Sequence, residues 1–322
     1  MAKPIYPFFR IFRTKNIYIR EFLAEFLGTF VLILFGDAAF AQDVLAGGGV
    51  KDVFAIVFGW GVGVMLGVAI AGGVTGGHLN PAVSFALATV KKLSWKKVPI
   101  YILAQHLGGF VASAVLFATY YEGVAHLDGG TRQVIGQNAT ALIWATYPKP
   151  FVSIGTCFLN EVVGTGLLTM TAVAIIDKKN LNFDATGIAV LLGFMITAVA
   201  MCFGFNNMAP LNPARDFPTR LFTAIAGYGA EPFTHRNYWW VGIVGPHVGG
   251  VIGVFIYYLC VELHWPDDKP EDHFDEELKT RKDEELAYIV NQDHVNNHAK
   301  GQDDGTDGVK ANIESKDQSP RD

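Results

Sequence analysis

Charge is scarce in this chain of 322 residues: Asp, Glu, Lys and Arg together make up 17% of it, against roughly 25% in soluble domains. The little there is sits unevenly. Residues 1–263 carry 17 Lys and Arg against 13 Asp and Glu, a balance of +4, whereas residues 264–322 carry 8 against 17, a balance of −9. A body so short of charge cannot coat a globular surface, which excludes an ordinary soluble enzyme. It also lacks the basic face that phosphate neutralisation demands, so no nucleic-acid partner is expected. Cysteines number 3, Cys157, Cys202 and Cys260, all in apolar stretches, and they form neither a disulfide framework nor a metal set. His273, His294 and His298 are scattered through the acidic tail without partner cysteines, and no metal or other cofactor is expected. The segment from Gly59 to Gly63, Gly-Trp-Gly-Val-Gly, lies in an apolar run and lacks the strand–helix setting of a dinucleotide fingerprint.

What the chain does have is length without charge. Residues 53–71, 98–121, 185–214 and 237–261 contain none over 19, 24, 30 and 25 positions, and about 20 apolar residues suffice to span a bilayer. Two further stretches, 22–41 around Glu25 and 154–176 around Glu161, bring the expected spans to six. The basic segment 1–20 runs into the first span without a small-residue cleavage site, so no cleaved leader is expected. With both termini in the cytoplasm, the inner loops hold 11 Lys and Arg and the outer loops six (Lys51, Arg132, Lys149, Arg215, Arg220 and Arg236), the bias that membrane insertion favours. The tripeptide Asn138-Ala139-Thr140 then falls in the outer loop between spans three and four, a candidate glycan acceptor.

The sequence also repeats. Glu25-Phe26-Leu27-Gly28-Thr29 is matched by Glu161-Val162-Val163-Gly164-Thr165, and Asn80-Pro81-Ala82 by Asn212-Pro213-Ala214. Gln105-His106-Leu107-Gly108-Gly109 is matched by Pro246-His247-Val248-Gly249-Gly250. Each repeat holds three spans, an odd number, so the second enters the bilayer from the opposite face, and such inverted repeats build their sites near the midplane.

Each Asn-Pro-Ala follows a stretch that resists helix, 72–79 and 204–211, and precedes one with helical character, 83–90 and 215–226. Asn favours the N-cap and Pro the first helical position, so each triplet reads as the start of a half-helix. Inversion brings the two starts together at mid-membrane with their positive dipole ends converging. The irregular residues before them must line something wet, because unbonded carbonyls are not tolerated against lipid. The carbonyls of Gly76, Gly77, His78, Met208, Ala209 and Pro210 are therefore expected to form an acceptor ladder along a pore, in which the dipoles oppose cations and protons.

These residues resemble the aquaporin family, and within it the glycerol-facilitator (aquaglyceroporin) branch, over about residues 17–265. Gly76-Gly77-His78-Leu79-Asn80-Pro81-Ala82-Val83 is similar to the family's first signature, and Asp216 directly after Arg215 is typical of the facilitators. The resemblance implies an all-α membrane protein with six transmembrane helices and two re-entrant half-helices, an inverted repeat in a right-handed bundle. The expected organisation is a basic segment 1–17, a channel domain 18–265 (repeats 18–121 and 154–263), and an acidic, largely disordered cytoplasmic tail 266–322. The implied activity is a passive channel, not an enzyme, for glycerol and water in the plasma membrane, extending to urea and other small neutral solutes and excluding ions and protons. A homotetramer is implied as well. Asn80 and Asn212 would donate to a passing hydroxyl, and Trp60, Ala200, Ala209 and Arg215 would form the selectivity filter. Ala209 and Met208 depart from the branch, which often carries a bulkier residue and a Gly there, so the filter is expected to be wide.

Each residue also has a plainer reading. The resemblance implies that Glu25 and Glu161 support the pore loops rather than carry protons, and Asp216 is expected to fix its half-helix rather than meet solute. His78 is expected mainly to present carbonyls, with gating by protonation as the alternative. His106 and His247 read as packing residues, and Cys202 as a buried thiol. Lys3, Arg10, Arg13, Lys15 and Arg20 among phenylalanines read as an interfacial anchor. In the tail, 276–290 is a candidate short helix, and Ser315 and Ser319 are candidate phosphorylation sites. Three other functions compete. A water-selective channel would need a narrower filter with a His where Ala200 stands. A coupled transporter would need midplane ion ligands, for which only Glu25 and Glu161 are at hand. A non-conducting scaffold would leave no mark in the sequence.

Overall fold

The computed structural model describes residues 7–47, 49–266 and 282. The expectations for the far N-terminus and for the acidic tail, including its short helix and Ser315 and Ser319, fall outside the described residues. The chain divides after Trp265 into two units, and the architecture below is that of the first.

Six helices in it are long and apolar enough to cross a membrane. The first four, with a half-helix among them, are α1 (Ile17–Leu45), α2 (Val53–Thr75), the half-helix α3 (Pro81–Thr89), α4 (Val98–Asp128) and α5 (Ile154–Ile176). Then come α6 (Ala185–Phe203), the half-helix α7 (Pro213–Thr223), a single turn α8 (Glu231–Thr234) and α9 (Val241–Cys260). Side chains close the open amides at the starts. Asn16 accepts from Tyr18 and Ile19, Asp52 from Ala55, Ser153 from Thr156 and Asp184 from Gly187. Both half-helices begin as the triplets demand, with Asn80 or Asn212 as N-cap and the proline in first position.

The spans run longer than charge counting suggests. α1 extends past 22–41 at both ends and so takes in Glu21 and Asp43, while Asp37, inside 22–41 with Glu25, is a further acid of that span. α6 does the opposite: it stops at Phe203 although the uncharged run continues to 214, because Gly204 opens a turn that closes with the Met208 N–H on the Gly204 carbonyl. α7 ends at Thr223, three residues short of expectation, in a π-turn over Ala224–Tyr228 where Gly227 takes φ 108°.

The packing obeys the repeat. α1 lies against α2 and α4, as α5 lies against α6 and α9, and α2 meets α6 between the halves. Each half-helix packs chiefly on the third span of the other repeat, α3 on α9 and α7 on α4. The paired glycines of the third landmark explain how. A Cβ on Gly108 or Gly249 would collide with the carbonyl of Phe26 or Val162 on the first span of its own repeat. One on Gly109 or Gly250 would press on the carbonyl of Ala214 or Ala82 in the other repeat's half-helix. Small residues thus set the backbone approach that membrane helices rely on.

Candidate transmembrane pore

A cavity of about 800 Å³ follows the seam between the halves. At one end it is lined by Val50, Ile135 and Lys149, and at the other by Leu87, Lys92 and Val173. Midway it passes Asn80 and Asn212, whose half-helix starts abut. Asn80 Nδ2 donates to the Leu211 carbonyl at 3.0 Å and Asn212 Nδ2 to the Leu79 carbonyl at 2.8 Å. Each amide nitrogen carries two hydrogens, so this cross-clasp uses one and leaves one. Each Oδ1 meanwhile caps its own helix at 2.9 Å.

Gly76, Gly77, His78, Met208, Ala209 and Pro210 all line this cavity. Among the described residues no backbone N–H bonds to the carbonyls of the first five, while the Pro210 carbonyl accepts from the Asn212 N–H at 2.5 Å. Glu25 holds the first loop, accepting from the Thr75 hydroxyl, from the backbone of His78 (3.0 Å) and Leu79 (2.8 Å), and from Gln105. Glu161 holds the second, accepting from Leu211 N–H at 2.8 Å and Asn207 Nδ2 at 2.9 Å. Both carboxylates are fully buried and neither lines the cavity. His78 places Nδ1 3.1 Å from the Ser84 hydroxyl and its ring edge on Tyr101.

Toward the Lys149 end the cavity passes Trp60, Ala200, Ala209 and Arg215. Trp60 lies flat against α1 because residue 36 is glycine; a Cβ there would overlap the indole ring. The Arg215 guanidinium sits 4.6 Å from the Trp60 ring centroid and 5.6 Å from that of Phe40, which also lines the cavity. Its Nη1 donates to the Trp144 carbonyl at 2.7 Å. That carbonyl comes from the connection between α4 and α5, which folds inward: Ala141, Ile143, Trp144, Ala145 and Thr146 are all fully buried. Asp216 fastens the connection, accepting from Thr146 N–H and hydroxyl and from Nε and Nη2 of Arg220. Tyr147 completes the wall; burial holds its phenol above the ordinary range even with Arg220 beside it, so it stays a neutral hydroxyl.

The structure therefore brings all four residues expected of a filter to one cavity and places Asp216 behind it. Lys92, Lys149 and Arg215 line the cavity, and among the described residues no Asp or Glu does. Asn138 is exposed, whereas Thr140 of the same tripeptide is buried with its hydroxyl on Asp128 and Tyr228. His106 and His247 each place Nδ1 2.8 Å from the carbonyl four residues back, and their rings meet Phe217 and Phe85 on the other repeat's half-helix. Cys202 corrects the sequence reading: it is exposed on α6 and does not line the cavity, which the preceding Ala200 and Met201 do. Phe40, Trp144, Tyr147, Asn207 and Arg220 do not stand out in the sequence. Asn207 alone left a signal, five residues before Asn212 as Thr75 is before Asn80.

Comparison with known proteins bears on this geometry. The sequence model of the family described as Major intrinsic protein matches residues 12–257. The chain is 42% identical over 279 residues to Aquaporin-9 of Homo sapiens, spanning 86% of this chain and 94% of that protein. It is 46% identical over 247 residues to Aquaglyceroporin-2 of Rhizophagus irregularis, spanning 76% and 78%. Among solved structures, that of the aquaglyceroporin from Plasmodium falciparum superposes with a TM-score of 0.69 at 33% identity, covering 76% of this chain and 98% of the other.

Proposed function

Because the chain belongs to the major intrinsic protein family, and is thus a passive membrane channel for water and small solutes and not an enzyme, we propose that its solute is glycerol alongside water. Urea and other small neutral solutes follow by the same path, and ions and protons do not. The observation that carries this reading is the lining beside Arg215: one large apolar wall, Trp60, lies against it, while the neighbouring Ala200 and Ala209 are small. A polyol has two faces. Its carbons would slide on Trp60 and Phe40 while its hydroxyls exchange between Arg215, the carbonyls of Gly76, Gly77, His78, Met208 and Ala209, and the remaining N–H of Asn80 and Asn212. Cations would meet two converging helix starts and three cationic side chains, with no carboxylate among the described lining residues.

The further reading places both termini in the cytoplasm and the Lys149 end outside, in the plasma membrane, with Asn138 exposed to glycan attachment. Four copies would assemble, each with its own pore. Against coupled transport, Glu25 and Glu161 are both committed to loop backbone, which leaves no free midplane ion ligand among the described lining residues.

Stopped-flow light scattering on proteoliposomes tests the solute. Fast shrinkage in an impermeant osmolyte and fast re-swelling in glycerol are expected. Shrinkage with re-swelling no faster than empty vesicles would mean that Met208 closes the polyol path, and the channel would be water-selective. Ala209→Phe should slow glycerol more than water; equal slowing of both would count against this reading of the lining.

A further inference from the structure

α7 carries three charges into the protein, Arg215, Asp216 and Arg220, all at most 3% exposed. Asp216 is taken: Arg220 Nη2 donates to its two oxygens at 2.9 Å each, and Thr146 fills a further site. Arg215 is left without a carboxylate on its own helix. The missing charge comes from α1, where fully buried Asp37 sets Oδ1 3.8 Å from Arg215 Nη1. Among the described residues no donor hydrogen-bonds either oxygen of Asp37, and no acceptor binds Arg215 Nη2. A buried carboxylate without donors is costly unless a cation balances it, and Arg215 is the cation within ion-pair reach. Asp37 does not line the cavity, whereas Arg215 does, so the pairing is made from the protein side. The same turn of α1 seats both facing walls, since Gly36 receives Trp60 and Asp37 receives Arg215.

We propose that Asp37 is the counter-ion of Arg215 and a specificity-determining residue of the channel. By balancing the guanidinium from behind it keeps that arm against Trp60 and the Trp144 carbonyl and out of the solute path. This rests on the reading of the cavity as a polyol path. Without Asp37, Arg215 keeps one acceptor, the Trp144 carbonyl, and an uncompensated charge in a wall that is almost dry. A long cationic side chain so placed moves its head toward water, which here means into the cavity. Polyols lose room first, and water, with its smaller cross-section, loses little.

The test uses the full chain in proteoliposomes as parent, Asp37→Asn, Arg215→Ala and the double variant. Asp37→Asn should keep water permeability while glycerol permeability falls about fivefold, the scale of one net hydrogen bond. In the Arg215→Ala background the same change should leave the glycerol-to-water ratio unaltered, because contacting residues couple and unrelated ones add. A ratio that Asp37→Asn leaves unchanged, or that shifts equally in both backgrounds, overturns the proposal. Thermal midpoints of the four proteins read the pair without reference to flux. Asp37→Asn should lower the midpoint more in the parent than in Arg215→Ala, and additive midpoints overturn the pairing. If the parent passes no glycerol, the polyol reading falls while this coupling still decides the counter-ion. If Asp37→Asn alone fails to fold, recovery in the double variant supports the pairing and failure of both overturns it.

Discussion

Counting back from its asparagine, each pore loop takes left-handed backbone at the same three places: Gly76, Gly77 and Leu79 at φ 89°, 69° and 52°, and Met208, Ala209 and Leu211 at φ 64°, 42° and 53°. The first loop puts glycine where the chain must turn, and glycine adopts such angles freely. The second puts Met and Ala there, for which they are strained. The supports differ in the other direction. Glu25 gathers four donors, whereas Glu161 gathers two, because Pro210 has no N–H where His78 has one and Pro246 stands where Gln105 reaches in. One geometry is thus reached twice, by relaxed backbone with heavy anchoring and by strained backbone with light anchoring. What the repeat preserves is the left-handed turn, the buried carboxylate and the capping asparagine; the residues between are free to differ, and in the second loop they set the width beside Arg215.

The sharpest way to break this comparison is to remove the anchors. Glu25→Ala takes the acceptor from four donors, of which Thr75 and His78 are half-buried, and Glu161→Ala from two, and each buried unsatisfied group costs about 1–3 kcal/mol. Glu25→Ala is therefore expected to lose about twice as much stability as Glu161→Ala, enough to deplete the folded protein. Thermal unfolding of the detergent-solubilised chain, followed by size-exclusion, measures both. A larger loss at Glu161 would show that the strained loop depends more on its one carboxylate than donor number implies.

Backbone comes next. Gly77→Ala places a Cβ 3.1 Å from the Val68 Cα at φ 69°, and left-handed backbone costs a non-glycine residue about 1–2 kcal/mol. Ala209→Gly relieves the corresponding strain but frees the unfolded chain, so its net change should stay within about 0.5 kcal/mol. Midpoints for the two variants check the asymmetry. Equal losses would mean that the cost lies in neighbouring contacts and not in the turn itself.

Much of this was readable before any coordinates. The spans show as missing charge, and the half-helix starts show because Asn-Pro is itself a capping signal that needs no tertiary context. The repeat displays Glu25 and Glu161 twice in the same place, and their assignment to support comes from the resemblance to the aquaporin family. Three things were hidden, for different reasons. The inward fold of 141–147 has too few apolar residues to signal a span, and nothing in the sequence says that its Trp144 carbonyl will meet Arg215. Asp37 passed unremarked inside a stretch long enough to span without it, since its partner lies far along the chain. The exposed face of Cys202 depends on which side of α6 turns to the cavity, and a helix apolar all round carries no such mark.

The smallest change tests whether the two loops are one design. Pro210→Ala restores the N–H that His78 uses to reach Glu25 at 3.0 Å, and the left-handed residues on either side of position 210 match those around His78. Glu161 already accepts from Asn207 and Leu211, and a carboxylate has lone pairs for more. A new bond to a charged group contributes about 1.5–3 kcal/mol, offset by about 0.4–1 kcal/mol for the freedom that proline removed from the unfolded chain. A rise in the thermal midpoint worth about 1 kcal/mol is expected, with water flux unchanged because the side chain at 210 is not one of the donors or acceptors assigned to the path. A fall instead would mean that the proline ring, not the absent donor, is what holds the second loop to its turn, and that the likeness between the loops ends at their angles.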